Sequence, residues 1–166
     1  LTQLTYSFLN VRHIRMICLG IESTAHTFGV GIIDDKGNVL ADARRMYVPK
    51  IGKGLVPKEL ADHHYEVAFK VVWEALKKAK LKMQNINLIA FAQGPGIPNS
   101  LRIGAAVARY LSIKFKKLIV GVNHPVAHIE VGKLTTGAKD PVIVYLSGGN
   151  TQIIAYTEKR YRVFGE

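Results

Sequence analysis

Two histidines four residues apart, His124 and His128, are the residues of this chain best suited to chemistry. They follow a short apolar run, 118–122, that is typical of a buried strand. Asn123 can cap a helix and Pro125 suits a first helical turn, so a helix is predicted to begin here. Residues four apart share one face of a helix, and imidazole is the commonest metal ligand. The spacing fits a metal site, with two packing histidines as an equal alternative because two ligands do not fill a coordination shell.

The same stretch does not match the arrangement of the zinc metalloproteases. In those enzymes a glutamate directly follows the first histidine and activates the metal-bound water, whereas here Pro125 stands in that position. Glu130 comes two residues after His128, about 200° further round a helix, so it is predicted to face away from the histidines. A peptidase function is therefore the weaker interpretation.

Composition limits the class of protein and suggests its partner. The chain has 166 residues, 48% of them apolar, and a net charge of +11. We expect a cytoplasmic protein without a membrane segment, because no apolar run is long enough to cross a bilayer and the single Cys18 suits a reducing compartment. The charge favours a polyanion such as RNA. Lysines cluster at 77–82 and at 114–117, although each cluster taken singly is equally explained as a solvated helix end.

The predicted elements alternate as in an α/β protein. Three strands are predicted between residues 17 and 48, followed by a long amphipathic helix over about 57–80. A strand over 87–93 comes next, and then a second helix that Asn99 or Ser100 is expected to cap. Together with the strand and helix around His124 and His128, these elements form one block.

The chain divides into three predicted parts. Residues 1–15 are expected to be an extension outside the fold, and 16–138 to form a first α/β lobe that contains the histidine helix. Residues 139–166 start a second lobe with three further strands and stop there. Three strands alone have no helical layer over their second face, so we expect a truncated second lobe or a partner that covers it.

The two lobes are predicted to open with similar hairpins. The first hairpin carries Glu-Ser-Thr-Ala-His at 22–26, and the second carries Ser-Gly-Gly-Asn-Thr at 147–151. Two such hairpins that face each other can hold phosphates between backbone N–H groups and hydroxyls. The alternative is a coincidence of two ordinary β-meanders.

Four motifs in the expected order resemble one known family. They are the segments 20–27, 94–104, 123–130 and 145–152. The chain resembles, from residue 16 to 166, the catalytic subunit of the KEOPS complex of archaea and eukaryotes, which is related to bacterial TsaD and was long described as an O-sialoglycoprotein endopeptidase. The resemblance implies a two-lobed fold of the actin, Hsp70 and sugar-kinase kind (RNase H-like).

This resemblance implies a reaction and a set of site residues. The reaction is transfer of a threonylcarbamoyl group from threonylcarbamoyl-AMP to N6 of adenosine 37 in tRNA. The implied metal, iron or zinc, would be held by His124 and His128, with Tyr145 approaching it. The adenylate substrate would bind to a segment whose members are Tyr145, Ser147, Gly148 and Gly149. The implied partners are tRNA and KEOPS-type small subunits, including an atypical kinase.

The family's pattern continues beyond Glu166, where an aspartate metal ligand and further nucleotide contacts are expected. We therefore expect this chain alone to bind metal weakly and not to complete catalysis. A metalloendopeptidase and a non-catalytic ATP-binding module are the alternatives. His26 is the candidate general base, although it more simply lines the cleft. His63 and His64 diverge by about 100° on their helix and are not expected to bind metal, and Arg102 is expected to be solvated.

Overall fold

A computed structural model describes residues 15–49, 51–52, 54–147 and 150–166. Except for Arg15, the predicted extension lies outside the described residues. Five strands form a mixed sheet: β1 (Ile17–Glu22), β2 (Thr27–Asp34), β3 (Val39–Met46), β4 (Leu88–Gly94) and β5 (Leu118–Asn123). Their order is β3-β2-β1-β4-β5. The pairs β1–β2 and β2–β3 are antiparallel, whereas β4 runs parallel to both β1 and β5.

Two helices cover one face of this sheet. The buried residues of α1 (Pro57–Ala79) recur every three or four positions, from Leu60 to Leu76, as expected of a helix with one apolar face. The second helix, α2 (Pro98–Phe115), packs beside it and buries Leu111. In β1 every second side chain is buried, because alternate residues of a strand point to opposite faces. The core therefore lies between the sheet and these two helices.

The third helix lies on the other face of the sheet. In α3 (His124–Thr136) the side chain of Asn123 accepts a hydrogen bond from the backbone N–H of Val126, at 3.1 Å, and caps the helix as predicted. Ala127 of α3 lines a shallow cavity together with Cys18 of β1. Partial burial raises the pKa of the Cys18 thiol, which suits an unreactive residue.

The remaining strands form a second, antiparallel sheet. It comprises β6 (Ile143–Ser147), β7 (Asn150–Thr157) and β8 (Arg160–Gly165), in the order β6-β7-β8. The Tyr161 hydroxyl of β8 lies 3.1 Å from Nζ of Lys133 in α3, which links this sheet to the histidine-bearing helix. Val144 and Leu146 are exposed. Within the described ranges, no helix has the length and apolar character needed to span a bilayer.

Candidate metal and adenylate site

His124 and His128 face each other at the start of α3. Their Nε2 atoms are 3.2 Å apart, and their rings meet edge to face with centroids 4.5 Å apart. Two nitrogens that bind one tetrahedral zinc ion at 2.0–2.1 Å are separated by roughly 3.3 Å. The predicted helix thus brings the two imidazoles to a separation that fits two ligands of one ion.

A carboxylate at the end of β1 holds the first of these rings. Oε2 of Glu22 lies 3.1 Å from Nδ1 of His124, and Oε1 of Glu22 accepts a hydrogen bond from the backbone N–H of Thr24, at 2.6 Å. Since a carboxylate can only accept, Nδ1 of His124 must carry the proton. With the ring in that tautomer, Nε2 has a lone pair. It can accept a hydrogen bond from His128 or bind a metal ion, which is the usual arrangement of a metal-bound histidine.

The sequence analysis missed Glu22 as a partner of His124, because the two residues are 102 positions apart. A signal was available. Glu22 is the last residue of β1, and His124 directly follows β5. Both strands run parallel to β4, so their carboxyl ends meet at one edge of the sheet. Ligand sites of open α/β sheets lie at this edge.

The turn after Glu22 is packed tightly against the 94–98 loop and α2. The N–H of Ile97 donates to the carbonyl of Thr24, at 2.7 Å. A Cβ at Gly96 would lie 2.7 Å from that same carbonyl oxygen, and a Cβ at Gly104 would lie 2.1 Å from Oγ of Ser23. Only glycine lets the loop and the helix approach this closely, and their contact fixes the turn that follows the Glu22 carboxylate.

Tyr145 of the second sheet lies beside the histidine pair. Its ring centroid is 6.3 Å from that of His128. Ser147 is two residues further along β6, so its side chain points to the same face of the sheet, about 7 Å beyond Tyr145. The predicted glycines, Gly148 and Gly149, lie outside the described residues. The proximity of Tyr145 to His128 brings the two sheets together at one candidate site.

The donor set fits a divalent metal in part. Two imidazoles with a carboxylate behind one of them suit iron or zinc, and Tyr145 is a further oxygen donor nearby. Among the residues that the structure describes, no group of three or more histidine, cysteine or acidic side chains forms a complete metal-binding cluster.

The other polar residues that the sequence singled out are His26, Arg102, His63 and His64. His26 and Arg102 are exposed. The exposure of Arg102 agrees with its expected solvation. His64 is fully buried, with its ring edge to face on Phe28 at 5.6 Å, and its Nδ1 is 3.2 Å from Nδ1 of His63. Desolvation by burial is the main cause that lowers the pKa of both His63 and His64.

Comparison with known proteins identifies the family. The model of the TsaD family, described as tRNA N6-adenosine threonylcarbamoyltransferase, matches residues 38–166. This chain belongs to the TsaD family. The predicted family is thereby confirmed.

Relatives that bear the family's name agree with this assignment. A TsaD-family protein of Caldivirga maquilingensis named tRNA N6-adenosine threonylcarbamoyltransferase is 54% identical over 151 residues, which cover 91% of this chain and 45% of that protein. A Drosophila melanogaster protein named as a probable enzyme of this kind is 50% identical, with 91% and 44% covered. The probable bifunctional tRNA threonylcarbamoyladenosine biosynthesis protein of Methanocaldococcus jannaschii is 55% identical, with 91% and 28% covered. The chain spans less than half the length of these relatives.

A solved structure agrees with the expected fold. YeaZ from Pseudomonas aeruginosa superimposes with a TM-score of 0.61 at 15% identity, over 91% of this chain and 65% of YeaZ. At this identity the likeness concerns the fold alone. Together with the strand order, it confirms the mixed α/β architecture that the sequence predicted for this member of the TsaD family.

Proposed function

We propose that this chain provides the metal-binding and adenylate-binding part of a tRNA N6-adenosine threonylcarbamoyltransferase. The reaction is transfer of a threonylcarbamoyl group from threonylcarbamoyl-AMP to N6 of adenosine 37 in tRNA. The observation that carries this proposal is the chain of contacts from Glu22 to His124, from His124 to His128 and from His128 to Tyr145, where two sheets approach each other. Membership of the TsaD family supports it.

His124 and His128 would hold the metal ion, iron or zinc. A bound divalent ion supplies Lewis-acid polarisation of phosphate or carbamoyl oxygens. Glu22 accepts the Nδ1 proton of His124 and so keeps Nε2 unprotonated and aimed at the site. Tyr145 would approach from the second sheet, on the same side as His128.

The adenylate would lie along the end of β6. We assign its binding to Tyr145 and Ser147 and to the glycine pair Gly148 and Gly149, because a turn without Cβ atoms lets backbone N–H groups approach a phosphate. The exocyclic amine of adenine is a weak nucleophile. Positioning of the two substrates and stabilisation of developing charge would therefore carry most of the rate acceleration.

The partners of the reaction are part of the same proposal. tRNA is the expected acceptor, and KEOPS-type small subunits, including an atypical kinase, are the expected protein partners in the cytoplasm. The bifunctional name of the Methanocaldococcus jannaschii relative supports a second activity working beside the transferase. Because the chain spans less than half of its relatives, we expect it alone to bind metal weakly and not to turn over.

Calorimetric titration of threonylcarbamoyl-AMP into the protein, with and without zinc, tests the link between the two parts of the site. We expect the adenylate to bind at least roughly tenfold more tightly when zinc is present, a difference of about 1.4 kcal/mol. The variant His124→Ala/His128→Ala should lose this difference while keeping its melting temperature, since both side chains lie near the surface. Equal adenylate affinity with and without metal in the wild-type protein would contradict the proposal.

A transfer assay with tRNA and threonylcarbamoyl-AMP tests the second expectation. The chain alone should give no turnover. Robust turnover by the 166 residues alone would show that no further ligand or partner is needed. Elemental analysis of the purified protein separates this proposal from a non-catalytic ATP-binding module, which would contain no metal.

A further inference from the structure

One end of the first sheet gathers two lysine clusters that are distant in the sequence. Lys77 and Lys82 line a shallow depression together with Phe115, the last residue of α2. The ammonium group of Lys117 donates to the backbone oxygen of Gln84, 33 positions earlier, at 2.9 Å. This contact fixes the second cluster beside the first, so their charges share one surface.

No acidic residue interrupts the positive charge in this part of the sequence. From Ala75 to Ile129 there are seven lysines and two arginines and no aspartate or glutamate, although the whole chain has 12 acidic residues. Glu74, directly before this run, pairs with Lys78 at 3.0 Å and compensates its charge. Clustered positive charge attracts a polyanion.

Two of these lysines occupy backbone positions that lysine does not favour. Lys80 ends α1 with φ 56°, and Lys116 ends α2 with φ 52°. Glycine is the usual residue at such left-handed helix ends, because it has no Cβ to clash. Lys77 and Lys114 in the last turns already complement the helix dipoles. Lys80 and Lys116 therefore add positive charge at this end that the helix dipoles do not require.

An aromatic ring lies within the same surface. Trp73 is 47% exposed and lines the depression with Lys77 and Lys82. Exposed aromatic rings beside lysines are typical of surfaces that bind nucleic acid, because unpaired bases stack on the ring while the cations meet phosphates. This combination favours RNA over an acidic protein.

We propose that this basic end binds the phosphate backbone of an RNA, through Lys77, Lys80, Lys82, Lys116 and Lys117 around Trp73. Phosphate contacts position a nucleic acid without reading its sequence. The six residues of β5 separate Lys117 from His124 by about 20 Å, so the RNA segment bound here is remote from the reacting base. That this RNA is a tRNA rests on the proposed function, whereas the positive charge of the basic end does not.

The double variant Lys80→Gly/Lys116→Gly tests this proposal without endangering the fold. Glycine removes two charges and suits both left-handed positions, so the melting temperature should stay the same or rise. Binding of a fluorescent tRNA transcript is measured by anisotropy at several salt concentrations. We expect affinity to fall about tenfold or more in 0.1 M salt, and the slope of log affinity against log salt to decrease by about 1 to 2.

A matched control removes the same charge elsewhere. Lys139→Gly/Lys159→Gly also loses two lysines, one of them at the left-handed Lys159, but lies outside the basic end. It should lose less than about threefold in affinity. Equal losses in the two variants, or an unchanged salt slope in Lys80→Gly/Lys116→Gly, would overturn the proposal. Loss of binding to phosphatidylserine vesicles with tRNA binding intact would overturn it too, in favour of a membrane surface.

Failure of the basic end and failure of the proposed function give different results. If only the RNA-binding role of the basic end is wrong, Lys80→Gly/Lys116→Gly binds tRNA like the wild-type protein and zinc still tightens adenylate binding. If only the proposed function is wrong, the adenylate shows no zinc dependence, while this variant still loses tRNA affinity and the Lys139→Gly/Lys159→Gly control does not.

Discussion

Two pairs of histidines in this chain have the same nitrogen separation but different surroundings. In His63 and His64 the Nδ1 atoms are 3.2 Å apart, and in His124 and His128 the Nε2 atoms are 3.2 Å apart. His64 is fully buried against an aromatic ring, whereas the ring of His124 is 22% exposed and meets a carboxylate. Nitrogen separation alone therefore does not distinguish a metal site from a packed pair.

The two pairs differ in whether their surroundings favour a positive charge. Burial lowers the pKa of His64, and the neighbouring His63 lowers it further, so this site disfavours positive charge. Glu22 contacts His124 directly and offers it a negative group that compensates a cation, whereas its effect on the pKa of His64 is smaller than that of burial. Burial of the His64 ring against Phe28 outweighs the opposing effects of a backbone hydrogen bond with Ala25 and of Glu22, so the pKa stays below its ordinary value.

The largest expected effect separates the two pairs directly. His124→Ala should weaken zinc binding by roughly 100-fold or more, because it removes a ligand and not merely a group behind one. His63→Ala is the matched control and should leave zinc affinity unchanged within about twofold. Competition with a chromogenic chelator measures both. A loss of zinc affinity in His63→Ala but not in His124→Ala would show that the buried pair, and not His124, contributes to metal binding.

A smaller effect is expected when the carboxylate alone is changed. In Glu22→Gln the amide oxygen can still accept from Thr24, but the amide nitrogen would donate to Nδ1 of His124. The ring would then carry its proton on Nε2 and lose its lone pair for the metal. We expect zinc affinity to fall about 10- to 100-fold with little change in melting temperature.

Glu130→Gln provides the control for this substitution. Glu130 lies on α3 but pairs with Lys133 and the Tyr161 hydroxyl, away from the histidine rings. Its replacement should leave zinc affinity as it is in the wild-type protein. An equal loss in both variants would mean that helix charge, and not the contact with Nδ1, governs metal binding.

The smallest effect concerns the buried pair and appears in the pH dependence of stability. Since the folded state lowers the pKa of His64, the unfolded chain binds the proton more readily. The contribution of neutral His64 to the free energy of unfolding should therefore be fully present above about pH 6.5 and should decrease as the pH falls below that value. Urea denaturation of His64→Leu between pH 7.5 and 5 should show a weaker decrease. An undiminished decrease in His64→Leu would assign the effect to other groups.

Much of the fold followed from local patterns in the sequence. The order of strands and helices and the capping role of Asn123 depend on residues close together in the chain, and the structure has them as predicted. The start of α2 differs. Asn99 or Ser100 was expected to cap it, but the helix begins at Pro98 after Ile97 without a side-chain cap. The fixed φ of proline already suits a first helical position, so the cap is dispensable.

The candidate site was predictable only in part, for a physical reason. The spacing of His124 and His128 follows from helix geometry, which four residues are enough to reveal. The contact of His124 with Glu22 depends on the pairing of β1, β4 and β5, which no short segment encodes. The lysine clusters were likewise judged one at a time, because their meeting near Gln84 results from the parallel pairing of β4 with β5.

Because of the close approach at Gly96, a substitution there should disturb the site although the residue contacts neither an ion nor a nucleotide. A single added methyl group there would press on the carbonyl of Thr24, and the displaced turn would carry the neighbouring carboxylate with it. A saturation-mutagenesis screen of this protein should therefore score that glycine as severely as a metal ligand. Its sensitivity would reflect a steric clash whose displacement passes through two peptide units to the carboxylate, and not a chemical role of the glycine.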